Sequence, residues 1–370
     1  MPSTGTPPGE LRRALARAYP WAKAPFIVGA PMRVLSGPRL AVAVSQAGGL
    51  GFIGPTLKSG DLVSDLEEAA ALIRSSSRLA SASTTLHVGD HGPRATLPVG
   101  VGFQTWNSDV AASLAALEKH QPCAVWLFAP RRGQSELDEW VAAVRRASPS
   151  TKIWIQVGTL REATDAVGSP SPPDVLVIQG AEAGGHGRAA DGMGTMALFP
   201  EVSDATRASG IPLVAAGGIV DGRGVAAALS LGAAGVAMGT RMLASAEARI
   251  SRGYQDEVVR AADGASSTVR TQLYNHLRGT FGWPEQFSPR GVINRSWIEH
   301  QEGVPFDELK KRHDRAAAEA GDAAWGPEGR LATYAGAAVG LVRSVDDAAT
   351  IVDGVRREAK DIVTSLTGDL

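Results

Sequence analysis

One cysteine in 370 residues, Cys123, excludes an intramolecular disulfide and a thiolate metal cluster. Alone it reads as a small buried hydrophobe. Charge of one sign is equally scarce: 37 Lys and Arg stand against 38 Asp and Glu. No whole-molecule field therefore draws nucleic acid, an anionic membrane or a highly charged substrate, and specificity must come from a local site. Uninterrupted apolar runs of about 18 residues are missing, so no segment is expected to span a bilayer. Met1 to Pro8 is turn-forming and leads into the charged stretch Glu10 to Arg17, so no apolar signal-peptide core follows. These absences predict a soluble, cytoplasmic protein acting on a small molecule, with no nucleic acid or membrane partner; a homodimer stays open. Internal repeats and low-complexity tracts are absent as well.

What is present is an alternation of short β-branched, apolar runs with Ala- and Leu-rich amphipathic segments, the signature of βα units and a parallel sheet. Eight strands are expected: Phe26–Ala30, Gly51–Gly54, Leu97–Phe103, Ala124–Ala129, Lys152–Val157, Val175–Gln179, Pro212–Ala216 and Val236–Gly239. Eight is the number that closes a TIM (β/α)8 barrel. An open doubly wound sheet is the alternative that periodicity cannot separate. The barrel domain is assigned to residues 1–244, completed by 331–370. Residues 245–330, rich in aromatics and charges, form an inserted, smaller α-rich subdomain over the barrel mouth. A helix is expected over Asp61 to Arg74, and a final amphipathic helix over Asp346 to Leu366.

In such a barrel the residues just after each strand build the active face. Ala30, Pro31 and Met32 follow strand one as an elbow of small residue and proline that lets backbone approach a flat ligand; a plain tight turn is the bland alternative. Gly217-Gly218-Ile219 and Gly239-Thr240 follow strands seven and eight, where bare amides commonly hold a phosphate. Glycines also end strands for conformational reasons alone, but here two such sites converge. Strand six is followed by Gln179-Gly180-Ala181-Glu182-Ala183-Gly184-Gly185-His186-Gly187. Four glycines in these nine residues read as a flexible loop that curves closely around a ligand, with one imidazole whose near-neutral pKa suits proton transfer. His186 is the candidate catalytic side chain; the competing reading is a solvated loop histidine.

Other signals are weaker. Gly49 to Gly54 matches G-x-G-x-x-G but runs through a strand into Pro55, which argues against a Rossmann nucleotide turn. His87, Asp90 and His91 have metal-like spacing, yet Gly89 and Gly92 disfavour the helix that would align them, so they read as surface loop and no metal site is expected. The sequon Asn294-Arg295-Ser296 has no secretory context.

Together these residues resemble the nitronate monooxygenase family, formerly 2-nitropropane dioxygenases. The resemblance rests on Ala30-Pro31-Met32, Ala47 to Gly51, Glu182 to His186, Ala215 to Ile219 and Met238-Gly239-Thr240. Leu277 to Glu302 and Tyr334 to Val342 also resemble the subdomain and return strand of the subgroup found in fungi and some bacteria. The resemblance implies FMN, with Gln179 and Gly184 near the isoalloxazine and Gly218, Ala237, Met238, Gly239 and Thr240 at the phosphate end; Ala30, Pro31, Met32, Gly185 and Gly217 are further expected cofactor contacts. It implies oxidation of alkyl nitronates by dioxygen to a carbonyl compound and nitrite, with His186 able to deprotonate a neutral nitroalkane. Apart from the resemblance, Phe281 and Trp283, in a Gly- and Pro-containing segment after strand eight, are expected to roof the substrate pocket and set substrate size; packing within the subdomain is the alternative. Two departures stand out: Gly102, followed by Phe103-Gln104, replaces an asparagine that contacts flavin in many members, and Ala338 stands where the family has glycine. A flavin-dependent NAD(P)H enoyl-thioester reductase shares the barrel and a similar loop and is the alternative function. A barrel like that of inosine-monophosphate dehydrogenase would need a cysteine after strand six, whereas Cys123 opens strand four.

Overall fold

The computed structural model describes residues 6–58, 60–82 and 96–368. His87, Asp90 and His91 lie outside the described residues. Eight parallel strands close into a barrel: β1 (Ile27–Gly29), β2 (Leu50–Ile53), β3 (Leu97–Gln104), β4 (Pro122–Phe128), β5 (Lys152–Val157), β6 (Val175–Gln179), β8 (Leu213–Ala216) and β9 (Gly235–Met238). Closure comes from β9 pairing with β1, Ala237 opposite Val28. All eight expected strands are present, none of their ends shifted by more than two residues, and the open doubly wound alternative is thereby excluded.

The barrel interior follows from the period-two alternation of its strands. Phe52, Trp126 and Trp154 fill it, the two indoles stacked with centroids 5.8 Å apart. Gly100 makes room, since a Cβ there would fall 2.3 Å from the Phe52 ring. Below them Tyr19, delivered by the helix Pro8–Ala18, accepts a 2.7 Å hydrogen bond from Trp154 Nε1 and closes the N-terminal end. At the opposite end lie Gln104 and Phe128, the last residues of β3 and β4, Gln156, next to last in β5, and Gln179, the last of β6, so three amide side chains cluster where the packed core stops.

Outside, the helices cap as their sequences dictate. Asp109, Thr159 and Asp221 each accept from N–H groups of the first turn they precede. The final helix, Ala348–Gly368, is tied to the barrel by Arg356, which donates to the carbonyls of Ala47 and Gly48, and by Glu358, which accepts from Gly222 N–H. The G-x-G-x-x-G glycines serve packing: a Cβ on Gly51 would lie 2.0 Å from Ala41 O on the helix Pro38–Gln46. Cys123 is buried, its thiol against Val99 O. No helix among the described residues is long and apolar enough to cross a membrane.

Two expectations fail. The His186 loop is no free glycine loop, because Gly185–Arg188 forms strand β7 in an antiparallel sheet with β11 (Phe287–Val292) and β10 (Thr268–Arg270), in the order β10-β11-β7. Pro289 lies opposite His186 in that ladder. The stretch Tyr334 to Val342 is not a return strand: it runs irregularly into a short 3-10 turn, Val339–Leu341. Its backbone bonds go to the β6–β7 loop instead, with Ala337 N–H donating to Glu182 O at 2.8 Å.

Candidate active site

A cavity of about 180 Å³ opens at the C-terminal end of the barrel. The elbow Ala30-Pro31-Met32 forms one wall. Ser36 holds it in place, its hydroxyl accepting from Met32 N–H at 2.8 Å. Gln179, Gly184, Gly185 and His186 form a second wall, and Gly217, Gly218, Ala237, Gly239 and Thr240 a third. Met238 alone among the expected cofactor contacts turns away, fully buried in the core on the outer side of β9.

The glycine-rich loop has a stepwise construction. Glu182 caps the helix Thr195–Thr206, its carboxylate accepting from Thr195 N–H and hydroxyl at 2.9–3.1 Å, while that hydroxyl also reaches Gly217 O. One carboxylate thereby couples the His186 loop to the β8 loop. Gly184 must lack a side chain, because a Cβ would sit 2.4 Å from Gly336 N. Arg270 then clamps the loop, donating to the carbonyls of Ala181, Ala183, Gly185 and Ser288. Burial and the neighbouring Arg290 push its guanidinium down to about 10.

His186 lies flat on Trp283, with ring centroids 3.5 Å apart. Its Nε2 is within 3.0–3.2 Å of both side-chain amide atoms of Asn275. The expected near-neutral pKa is overturned. Burial, assisted by the charges of Arg270, Arg278 and Arg33 and opposed by the Asn275 hydrogen bond, brings it down to about 3. The imidazole is thus neutral across the physiological range.

Arg33 and Arg278 line the same cavity. Neither makes an ion pair with a carboxylate among the described residues. Arg278 sits over the Tyr334 ring at 5.5 Å. Burial works against its charge, but the Tyr334 oxygen accepting from it gives a net rise in pKa. Burial and the proximity of Arg278 lower the pKa of Arg33. The cavity therefore presents two cations and a neutral imidazole, an arrangement that receives an anion.

Of the two expected aromatics, Trp283 lines the cavity and is 9% exposed. Phe281 does not: it is 59% exposed and stacks on His276 instead. Left-handed glycines at 279 and 282 bracket Thr280 and Phe281, so Thr280 and Trp283 face inward and the ring between them outward. Sequence reasoning passed over Arg33, Gln156, Asn275, Arg278 and the side chain of Tyr334. Arg33 directly follows the elbow and Gln156 is next to last in its strand, so position could have flagged both; Asn275 and Arg278 come from the short helix Leu273–Leu277 and its end, with no motif.

Gly102 has a steric explanation. A Cβ there would meet Pro31 at 2.3 Å, so the elbow occupies the space an asparagine would need. Two residues on, on the same face of β3, Gln104 lines the cavity at 8% exposure with Oε1 unpartnered. Ala338, the other departure, also lines the cavity.

Residues 138–280 match the family model described as nitronate monooxygenase. The chain is 66% identical over 361 residues to nitronate monooxygenase npaC of Metarhizium robertsii, covering 98% of each chain. A nitronate monooxygenase of Neurospora crassa is 34% identical, covering 94% of this chain and 92% of its own. Among solved structures, the nitroalkane oxidase of Streptomyces ansochromogenes superposes with a TM-score of 0.69 at 24% identity over 95% of this chain and 99% of that one, a likeness of fold.

Proposed function

The chain belongs to the nitronate monooxygenase family, and from that premise we propose that it oxidises alkyl nitronates with dioxygen to a carbonyl compound and nitrite. The family's enzymes are FMN-dependent oxidoreductases. The cavity fits that group. Gly217 and Gly218 take positive φ, and Gly239 has no neighbour closer than 3.7 Å to a would-be Cβ, so bare amides with Thr240 can receive the phosphate. Gln179 and the unpartnered Gln104 amide would serve the ring system, beside Ala30, Pro31, Met32, Gly184, Gly185 and Ala237. When bound, FMN supplies the redox chemistry, taking electrons from the ionised substrate and passing them to dioxygen.

The observation that carries the reading is the pairing of Arg33 and Arg278, without carboxylate partners among the described residues, with a neutral His186. The arginines attract the nitronate anion and hold its charged oxygens. His186, uncharged, can give a hydrogen bond or accept a proton without first losing one. Its low basicity favours substrates that arrive already ionised. A neutral nitroalkane must surrender its α-proton first, and a base held near pKa 3 is weak until an anion enters. Trp283 and residues 245–330 cover the site and limit substrate size. Anaerobic addition of an alkyl nitronate is expected to bleach the flavin, with nitrite appearing on admission of air. Bleaching by NADPH but not by nitronate would instead assign the enoyl-thioester reductase chemistry.

A further inference from the structure

The polarity of the hydrogen bonds behind His186 can be read without ambiguity from one fixed end. The carbonyl of Phe287 can only accept, so the Gln272 group 2.7 Å from it is the amide nitrogen. Gln272 Oε1 then faces Asn275, and the Asn275 atom 2.7 Å from it must be the donor Nδ2. Asn275 Oδ1 is left to accept from the Tyr334 hydroxyl at 3.2 Å. Asn275 is 2% exposed, so neither amide atom has water as a substitute.

His186 Nε2 lies 3.0 Å from Nδ2 and 3.2 Å from Oδ1 of this oriented amide. Nδ2 has a second N–H, able to donate to an Nε2 lone pair. Oδ1 has a second lone pair, able to accept from an Nε2–H. No protein partner meets Nδ1 among the described residues, and that nitrogen is the one left for a ligand. Asn275 therefore satisfies either neutral tautomer from one fixed position.

Resting on the nitronate monooxygenase reading, we propose that Asn275 is a positioning residue that lets His186 exchange tautomers. With the proton on Nδ1, the ring donates a hydrogen bond to an anionic nitronate. With the proton on Nε2, Nδ1 carries the lone pair that accepts the α-proton of a nitroalkane. Neither state requires the asparagine to turn, since Gln272 and Tyr334 pin it from the other side. An aspartate in the same place could only accept, and would hold the proton on Nε2.

Nitrogen NMR of the ¹⁵N-histidine-labelled holoenzyme at pH 9 tests this, the His186 signals being identified by their loss in His186→Asn. The wild type is expected to show His186 nitrogens between the protonated and unprotonated limits, and Asn275→Asp a ring protonated on Nε2. Asn275→Asp is further expected to lower kcat/KM for a nitronate by about tenfold relative to that for the parent nitroalkane. A single tautomer in the wild type, unchanged in Asn275→Leu, would overturn the proposal, and the wild-type spectrum decides even where variants fail to fold. The NMR result stands apart from turnover: absence of nitronate oxidation in the wild type would overturn the functional reading alone.

Discussion

The imidazole of His186 and the indole of Trp283 stack face to face, 8° from parallel with centroids 3.5 Å apart. The indole fixes the ring plane while Asn275 fixes its rotation, so the face of His186 towards the cavity is set by two contacts from the same segment. Trp283→Ala removes a buried indole, expected to cost about 3 kcal/mol of stability, and frees the ring to turn. Trp283→Phe keeps a stacking partner and is expected to retain most activity. Relative rates across nitronates of increasing chain length check the point: Trp283→Ala should flatten the preference that Trp283→Phe preserves, and equal preferences in all three would leave Trp283 as packing alone.

His186 also gives a pH signature in stability. Its folded pKa of about 3 lies below the unfolded value near 6.5, so between these values the unfolded chain binds the extra proton. Stability contributed this way is complete above pH 6.5 and falls as pH drops towards 3. At pH 5 the loss amounts to about 2 kcal/mol. Urea melts at pH 7 and pH 5 are expected to show a smaller difference in His186→Asn than in the wild type; an identical difference would place the ring in an ordinary solvated setting.

Adjacent glycines in the loop have different reasons to be glycine, and substitution separates them. Gly184→Ala drives a methyl into the Gly336 backbone and is expected to abolish flavin retention or folding. Gly185 has open space around it but a φ of +63°, so Gly185→Ala is expected to cost only about 1 kcal/mol and to keep flavin. Thermal melts and the flavin-to-protein absorbance ratio read both.

The two cavity arginines are expected to act on capture of the anion. Arg278→Met should raise KM for a nitronate about tenfold, the loss of one charge-assisted hydrogen bond, with a smaller effect on kcat. It should also flatten the dependence of kcat/KM on salt. A fall in kcat at unchanged KM would move Arg278 from capture to the chemical step.

The barrel was legible because short apolar strands alternate with amphipathic helices and several strands are followed by glycine. The walls built from Ala30 to Met32, Gly184 to His186, Gly217-Gly218 and Gly239-Thr240 could be named for the same reason: backbone sites leave local signals. The His186 environment could not. Its basicity depends first on burial and then on Arg270, Arg278 and Arg33, which come from three separate segments, and no local pattern announces their convergence. Phe281 shows the same limit, since one residue decides whether a ring in a glycine turn faces a cavity or water. Strand β7 was missed because Gly-His-Gly-Arg carries no β propensity, its pairing being imposed by β11.

On the proposed function, the cavity takes its substrate as a preformed anion and needs His186 as a base only for the neutral acid. The most direct test is kcat/KM of wild type and His186→Asn on a nitroalkane and on its nitronate, at equal flavin content. A larger loss is expected on the nitroalkane than on the nitronate, short of the roughly 10²–10⁴ that a base matched to neutral pH supplies, with most nitronate activity retained. Equal losses on both forms would contradict it.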